Sequence, residues 1–262
     1  MVKIDLKKKV AIVVGAGRGL GEAIALKLAE AGADVVVADL LKENAEEVAK
    51  KIAEKGGVAK GFKIDVTNQK EIDDLVDGIV NEYGKIDIMV NNAGYNIIKL
   101  FEDSDISEFD KMIDINLRGV YYGCKAAVRH MVKQKYGKIV NTSSQAGKAP
   151  FDYHSMYSAT KFGVIGMTQV MAKELGKYNI NVNCICPGIV RTEMWEQNLR
   201  EYDGYDNSID PETRWKKVVD NIPMKRPQEP EDMANAVLFL CSDMAKNISG
   251  QALNINGAQV CV

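Results

Sequence analysis

Val10-Ala11-Ile12-Val13-Val14-Gly15-Ala16-Gly17-Arg18-Gly19-Leu20-Gly21 is the stretch on which the fold turns. A short, continuous, mostly β-branched run of this kind suits a strand buried on both faces of a parallel sheet. Glycines follow at once, and Ile24, Leu28 and Ala31 then repeat at helical spacing over 22–31. Strand, glycine loop and helix in that order bring backbone N–H groups and a helix N-terminus to a point where a pyrophosphate binds. Gly15, Gly19 and Gly21 are spaced G-x-x-x-G-x-G rather than G-x-G-x-x-G, so the loop alone fits a tight structural turn equally well.

The next element weights that choice. Val35-Val36-Val37-Ala38 reads as a second strand closing on Asp39, twenty residues past Gly19, where an acid accepts from a ribose 2′-hydroxyl and repels a 2′-phosphate. The implied cofactor is NAD. NADP is the lesser alternative, because Arg18 inside the loop can pair with a 2′-phosphate. As structural readings, Asp39 caps a helix over 42–55 and Arg18 is solvated.

Alternation of strand and helix continues to the end of the chain. Strands are expected over 58–64, 86–90, 137–142, 180–186 and 252–255, and helices over 69–82, 109–135, 155–175 and 230–241. No linker, repeat or low-complexity segment interrupts them, which predicts one α/β domain over 1–262. Asp65, at the end of the third strand, either accepts from an adenine amino group or caps the following helix. The amides of Asn91-Asn92 are placed to tie strand ends together, and Ala93-Gly94 to let a ribose come close. Asn116, an amide on an apolar helix face, is either locally satisfied or functional. The segment 192–222 carries Trp195, Tyr202, Tyr205 and Trp215 after a strand end, and reads as a lid over a pocket or as a peripheral helical excursion.

Hydrophobic content of 46% with 27% charged residues is that of a chain burying a full core. With 34 basic against 36 acidic residues and no long basic run, nucleic acid is not an expected partner. The apolar run behind the basic start of the chain, Val10 to Val14, is too short for a signal-peptide core or a membrane span, so no membrane role is expected. The 5 cysteines lack metal-ligand spacing; Cys184 and Cys186 read as small buried hydrophobes, with a redox or metal role as the other reading. A reducing, cytoplasmic setting and no metal are the expectation.

Chemistry points to Tyr157-Ser158-Ala159-Thr160-Lys161 and to Ser143-Ser144 at the end of the fifth strand. On a helix, Tyr157 and Lys161 share a face one turn apart. The ammonium is expected to favour phenolate and draw the tyrosine below its ordinary value of ~10. A neutral hydroxyl at Ser144 can hold a carbonyl or alkoxide oxygen against it.

Together, Gly15-x-x-x-Gly19-x-Gly21, Asn91-Asn92-Ala93-Gly94, Asn116, Ser144, Tyr157-x-x-x-Lys161 and Asn183-x-x-x-Pro187-Gly188 resemble the short-chain dehydrogenase/reductase family over essentially the whole chain. The resemblance implies a Rossmann-like, doubly wound parallel sheet of about seven strands with helices on both faces. It implies that Ser144, thirteen residues before Tyr157, polarises the substrate oxygen and that Tyr157 exchanges the proton. Lys161 would bind the nicotinamide ribose and Asn116 would hold a water leading to it. Cofactor contacts are expected from Gly15, Arg18, Gly19, Leu20 and Gly21, then from Asp39, Leu40, Asp65 and Val66. Asn92, Ala93, Gly94, Tyr157, Lys161, Pro187, Gly188, Ile189, Val190 and Thr192 complete that set.

Substrate contacts are expected from Ser144, Gln145, Phe151, His154, Tyr157, Met194 and Trp195, His154 being equally readable as a surface residue. Val14 and Asn256-Gly257-Ala258 depart from the family pattern without touching these groups. Cys186 to Trp195, with Ser144-Gln145-Ala146-Gly147, looks like the acetoin/butanediol and polyol dehydrogenase branch. The implied reaction is NAD(H)-dependent interconversion of a secondary alcohol and a ketone on a small diol, hydroxyketone or polyol. Alternatives are a hydroxysteroid dehydrogenase, a 3-oxoacyl-(acyl-carrier-protein) reductase and, from a different class, a non-catalytic dinucleotide-binding regulator. The resemblance also implies a homotetramer.

Overall fold

The computed structural model describes residues 4–203 and 208–262, so Met1 to Lys3 and, in the expected lid, Gly204 and Tyr205 lie outside the described residues. The continuous apolar run before the glycine loop forms β1 (Val10–Val14), buried at every position. With it lie β2 (Asp34–Asp39), β3 (Val58–Lys63), β4 (Ile88–Asn91), β5 (Gly137–Thr142), β6 (Ile180–Pro187) and β7 (Ala252–Ile255). All pair in parallel, in the order β3-β2-β1-β4-β5-β6-β7.

Strand periodicity sorts the core into two layers. Ala11 and Val13 of β1 pack with apolar residues of α1 (Gly19–Glu30), α2 (Lys42–Glu54) and α9 (Pro230–Cys241). Val10, Ile12 and Val14 face the opposite way, toward α3 (Gln69–Tyr83), α5 (Gly119–Gln134) and α6 (Ser155–Leu175). Each fully buried side chain of this size contributes roughly 1.5–3 kcal/mol, which makes the two-faced burial of β1 a large stabilising term. The edge strand β3 is only partly buried and carries Lys60 and Lys63, as a solvent-facing edge should.

The order reverses at β1, whose neighbours β2 and β4 lead the chain to opposite sides, and a crevice opens beyond the carboxyl ends of β1 and β4. Three expectations are corrected in detail. β4 begins at Ile88 rather than 86, because the Gln134 amide takes the Ile86 backbone, accepting from its N–H at 3.0 Å and donating to its carbonyl at 2.8 Å. The helix expected from 109 starts earlier, as α4 (Ile106–Met112), because Asp105 and Glu108 form a capping box. It then passes through a π-helical stretch, Ile113–Arg118, before α5. Beyond β6 the chain forms α7 (Glu193–Asp203) and α8 (Pro211–Asp220).

Gly21 sets how closely α1 approaches the turn after β1. A Cβ there would stand 1.9 Å from the Gly15 carbonyl oxygen, which is backbone and has no rotamer to give way. Gly21→Ala should therefore cost about 3 kcal/mol or more. In thermal unfolding that corresponds to a drop of about 5–10 °C, and an unchanged midpoint would show that α1 is free to shift.

Candidate active site

Gly15 follows β1 with a φ of +73°, and a Cβ on it would lie 2.6 Å from the backbone of Ala93, which follows β4. Only glycine permits both the backbone conformation and the contact. The side chain of Asn92 locks the junction: its Nδ2 donates to the Gly15 carbonyl at 2.9 Å, and its Oδ1 accepts from the Thr142 hydroxyl at 3.2 Å. The ends of β1, β4 and β5 thus meet on one amide. Asn91 does the same work beneath, donating to Asn141 Oδ1 at 2.9 Å, while Asn141 donates to Thr168 on α6 at 3.0 Å. The expectation that these amides tie strand ends together is met.

A groove of ≈ 1340 Å³ opens on these ends. Gly15, Arg18, Gly19 and Leu20 line one part of it, with Asp39, Leu40, Asp65 and Val66 nearby in the same wall. Asn92, Ala93, Gly94, Pro187, Gly188, Ile189, Val190 and Thr192 line it too. Ser144, Gln145, Phe151, His154, Tyr157, Lys161, Met194 and Trp195 line the rest. No side chain caps α1, so its first-turn N–H groups are left to an anion, as a pyrophosphate requires. The groove fits a dinucleotide on these grounds.

Asp39 accepts from the Gly17 N–H at 2.8 Å through one oxygen and from the Leu41 N–H at 3.1 Å through the other. It therefore helps the helix that follows and still presents a carboxylate to the groove. Arg18 is paired with Glu193 at the start of α7. Asp65 accepts from the N–H and hydroxyl of Thr67 at 2.9 and 2.8 Å, and Asn68 is the cap of α3.

Two expected site residues do not line the groove themselves. Gly21 does not line the groove, being buried against Gly15 as described above. Asn116, fully buried in the π-helical stretch, also stands behind the wall. Its Oδ1 accepts from the Tyr95 N–H at 2.7 Å, and its Nδ2 donates to the Tyr95 carbonyl at 2.8 Å and to Thr160 at 3.2 Å. It holds the loop after β4 against α6, a use for a widened helical turn at such a place.

Ser143 and Ser144 separate cleanly. The Ser143 hydroxyl is buried and donates to the Lys161 carbonyl at 2.9 Å. Ser144 begins a one-turn helix and accepts from the Ala146 N–H at 3.1 Å, and its hydroxyl is the neighbour that favours the ionised form of Tyr157. Tyr157 and Lys161 sit on α6, with the lysine Nζ 5.4 Å from the centre of the tyrosine ring and donating to the Thr142 carbonyl at 3.0 Å.

The electrostatics run against the expected acidification of Tyr157. Part of its side chain is reachable from the groove, yet burial pushes the phenol up to about 12, with only the Ser144 hydroxyl opposing. Lys161, 2% exposed, is drawn down to about 8 by the same loss of water. Desolvation disfavours both ions here and outweighs the attraction between them.

Among residues that sequence reasoning missed, Asn96 is buried in the loop after β4, Asn198 is buried on α7 and Gln259 follows β7. All three line the groove. Adjacency to Asn91-Asn92-Ala93-Gly94 flags Asn96; the other two carry no local signal, since the fold alone brings them there.

The Lys161 shift has a measurable sign. Its folded pKa lies below the unfolded value, so between about pH 8 and pH ~10.4 the unfolded chain holds the extra proton and stability rises with pH. Lys161→Met removes that group and any cost of burying its charge. The variant's lead in unfolding free energy over the parent should shrink by roughly 2–3 kcal/mol from pH 7 to pH 10, read from urea midpoints. A constant difference would place the ammonium in a better solvated site.

The pattern of the short chain dehydrogenase family matches residues 9–203. The chain is 39% identical to the diacetyl reductase ((S)-acetoin forming) of Staphylococcus epidermidis, over 96% of this chain and 98% of that one. It is 37% identical to the 3-oxoacyl-(acyl-carrier-protein) reductase of Aquifex aeolicus, over 98% and 99% of the two chains. A solved structure of NAD⁺-bound xylitol dehydrogenase superposes with a TM-score of 0.92 at 33% identity, covering 96% of this chain and 98% of that one. Sequence, sheet order and the walls of the groove agree: the chain belongs to the short-chain dehydrogenase family and is an oxidoreductase acting on CH–OH groups.

Proposed function

We propose that the chain interconverts a secondary alcohol and its ketone with NAD(H), on a small diol, hydroxyketone or polyol. The observation that carries this is the placing of Ser144, Tyr157 and Lys161 in the groove that also takes in the uncapped α1 terminus and Asp39. Two relatives bear names, diacetyl reductase and xylitol dehydrogenase, that favour small carbonyl and polyol substrates over larger ones.

Ser144 already accepts from Ala146, which leaves its O–H to donate to the substrate oxygen. Tyr157 holds the proton that passes to or from that oxygen, and its raised pKa keeps it protonated at neutral pH, the state that ketone reduction requires. A nicotinamide, when bound, supplies or receives the hydride. Lys161 spends one N–H on Thr142 and keeps two for ribose hydroxyls. Asn116 fixes the Tyr95 loop that borders this region.

NAD is preferred to NADP in this reading, because a 2′-phosphate would meet the Asp39 carboxylate while Arg18 is engaged by Glu193. α7 and α8 serve as a cover over the groove within a single domain of residues 1–262. Tyr121, Phe162 and Val170, apolar or aromatic and exposed on α5 and α6, support a homotetramer. Four buried and one exposed cysteine, all free, support a cytoplasmic setting.

Tyr157→Phe should lower kcat by about 10²–10⁴-fold with NADH binding retained. Near-normal turnover would remove the tyrosine from the reaction. For the parent, alcohol oxidation should accelerate from pH 7 to pH 9, since Tyr157 must shed its proton, while ketone reduction should not. In cofactor tests kcat/KM for NADH should exceed that for NADPH, and Asp39→Ser should narrow the ratio tenfold or more; a parent that prefers NADPH would overturn the assignment of Asp39.

A further inference from the structure

Phe151 borders two cavities. It lines the groove of ≈ 1340 Å³ and also a second cavity of ≈ 510 Å³, and no other described residue lines both. The second cavity lies between the loop after β4 and the start of α6, where Leu100, Phe101, Pro150, Tyr153 and Phe162 give it a largely apolar wall. Phe101 is 80% exposed, so this cavity opens on the surface rather than into the core.

Ring contacts tie Phe151 to the end of the groove where Tyr157 stands. The His154 ring lies 5.9 Å from that of Tyr157 and 6.4 Å from that of Phe151, so Phe151 is one ring removed from the tyrosine. Lys161 lies one turn beyond Tyr157 on α6, roughly 6 Å along the axis, while His154 and Phe151 precede it. A ribose held by Lys161 takes one side of Tyr157. The carbon chain of the substrate is left the other side, toward His154 and Phe151.

The backbone that carries Phe151 is pinned. The Ala149 N–H donates to the Gln145 carbonyl at 3.0 Å, the His154 N–H to the Phe151 carbonyl at 3.3 Å, and the Lys99 N–H to the Tyr153 carbonyl at 3.2 Å. The half-buried phenyl ring therefore acts as a wall between the two spaces, and a packed wall of this kind does not yield to extra methylenes.

We propose that Phe151 is a specificity-determining residue: its side chain partitions the groove from the second cavity and so sets the length of carbon chain that the site takes beyond the reacting carbon. Its removal joins the two spaces and gives the tail of a longer ketone an apolar path past Leu100, Phe101 and Phe162. The inference rests on the reading in which Ser144 and Tyr157 hold the reacting oxygen, and it names the side chain that limits substrate size there.

The test varies tail length at a constant reacting group. 2,3-Butanedione, 2,3-pentanedione, 2,3-hexanedione and 2,3-heptanedione each give a hydroxyketone on reduction, and each is assayed by NADH oxidation with purified protein. For the wild-type chain kcat/KM should fall about 100-fold or more from butanedione to heptanedione, since a hydrophobic wall discriminates a single methylene by about 10–200-fold. Phe151→Ala should raise the heptanedione-to-butanedione ratio roughly tenfold or more, Phe151→Leu should raise it less, and Phe151→Trp should lower it. Ser155→Trp, added to Phe151→Ala to refill the second cavity from the exposed start of α6, should bring the ratio back toward the wild-type value. A structural role alone would lower turnover of every ketone alike and leave the ratio unmoved. A wild-type series that does not fall with length overturns the proposal, as does a ratio unmoved in the Phe151 variants that fold, or a gain that survives Ser155→Trp. If the ratio fails these tests while Tyr157→Phe abolishes butanedione reduction, the catalytic reading stands and the partition does not. No turnover of any of the ketones, with NADH still bound, overturns both.

Discussion

One side-chain amide, that of Asn92, holds the Gly15 carbonyl on one side and the Thr142 hydroxyl on the other. The whole groove depends on this junction, because the three strand ends it joins carry the glycine loop, the Ala93-Gly94 turn and the serine pair. Parallel strands are linked through long crossovers and have no tight turn to set the relative height of their ends. A half-buried amide bonded at both ends fixes that height. Gly15 then permits the last close approach, since any Cβ would strike Ala93.

The same junction reaches the groups proposed to react. Thr142, whose hydroxyl meets Asn92, offers its carbonyl to the Lys161 ammonium, and Ser143 returns its hydroxyl to the Lys161 carbonyl. Lysine and serine are thus held by one strand end. The consequence is electrostatic. Packing that fixes these groups also strips their water, so the chain keeps Tyr157 protonated and makes the Lys161 charge expensive. A proton donor and a strong hydrogen-bond donor kept out of water are what reduction of a carbonyl needs, and the cost in stability is of the kind that active sites carry.

Much of this was legible in the residues. Continuous apolar runs at Val10–Val14 and 35–38 could be read because burial on both faces leaves no room for polar residues, and the carboxyl-end positions of Asp39 and Asn92 follow from strand length. What could not be read depends on distance in space. Gly21 looked like a member of the phosphate loop, yet its lack of a side chain serves helix packing. For Asn116 local satisfaction and function were both open, and the hydrogen bonds to both backbone groups of Tyr95 and to Thr160 show the first without excluding the second. The start of α4 was missed because apolar spacing passed over the capping box of Asp105 and Glu108. The Tyr157 pKa failed for a different reason. Spacing reports which charges are near, and only packing reports how little water remains.

The floor and the cover of the groove are held by different forces. The floor is the buried set Asn91, Asn141 and Thr168 together with the apolar layer of α5 and α6. α7 is held by buried Leu199 and Asn198 and by the Tyr202 ring against Tyr153 and His154, and α7 and α8 together by polar contacts: Arg18 to Glu193, the Ile98 N–H to Glu201 at 2.7 Å, and Arg191 to Glu196 at 2.6 Å and to Glu212. None of the described side chains of α8 is buried. Exposed ion pairs are worth about 0–1 kcal/mol each, so α8, with no buried side chain among those described, is held less firmly than α7. Asn198 and Trp195 stand on α7, while Tyr157 and Ser144 stand on elements that the strand ends hold. The groove is therefore walled on one side by residues fixed through buried amides, and on the other by a helical segment whose anchors in the core are Leu199 and Asn198.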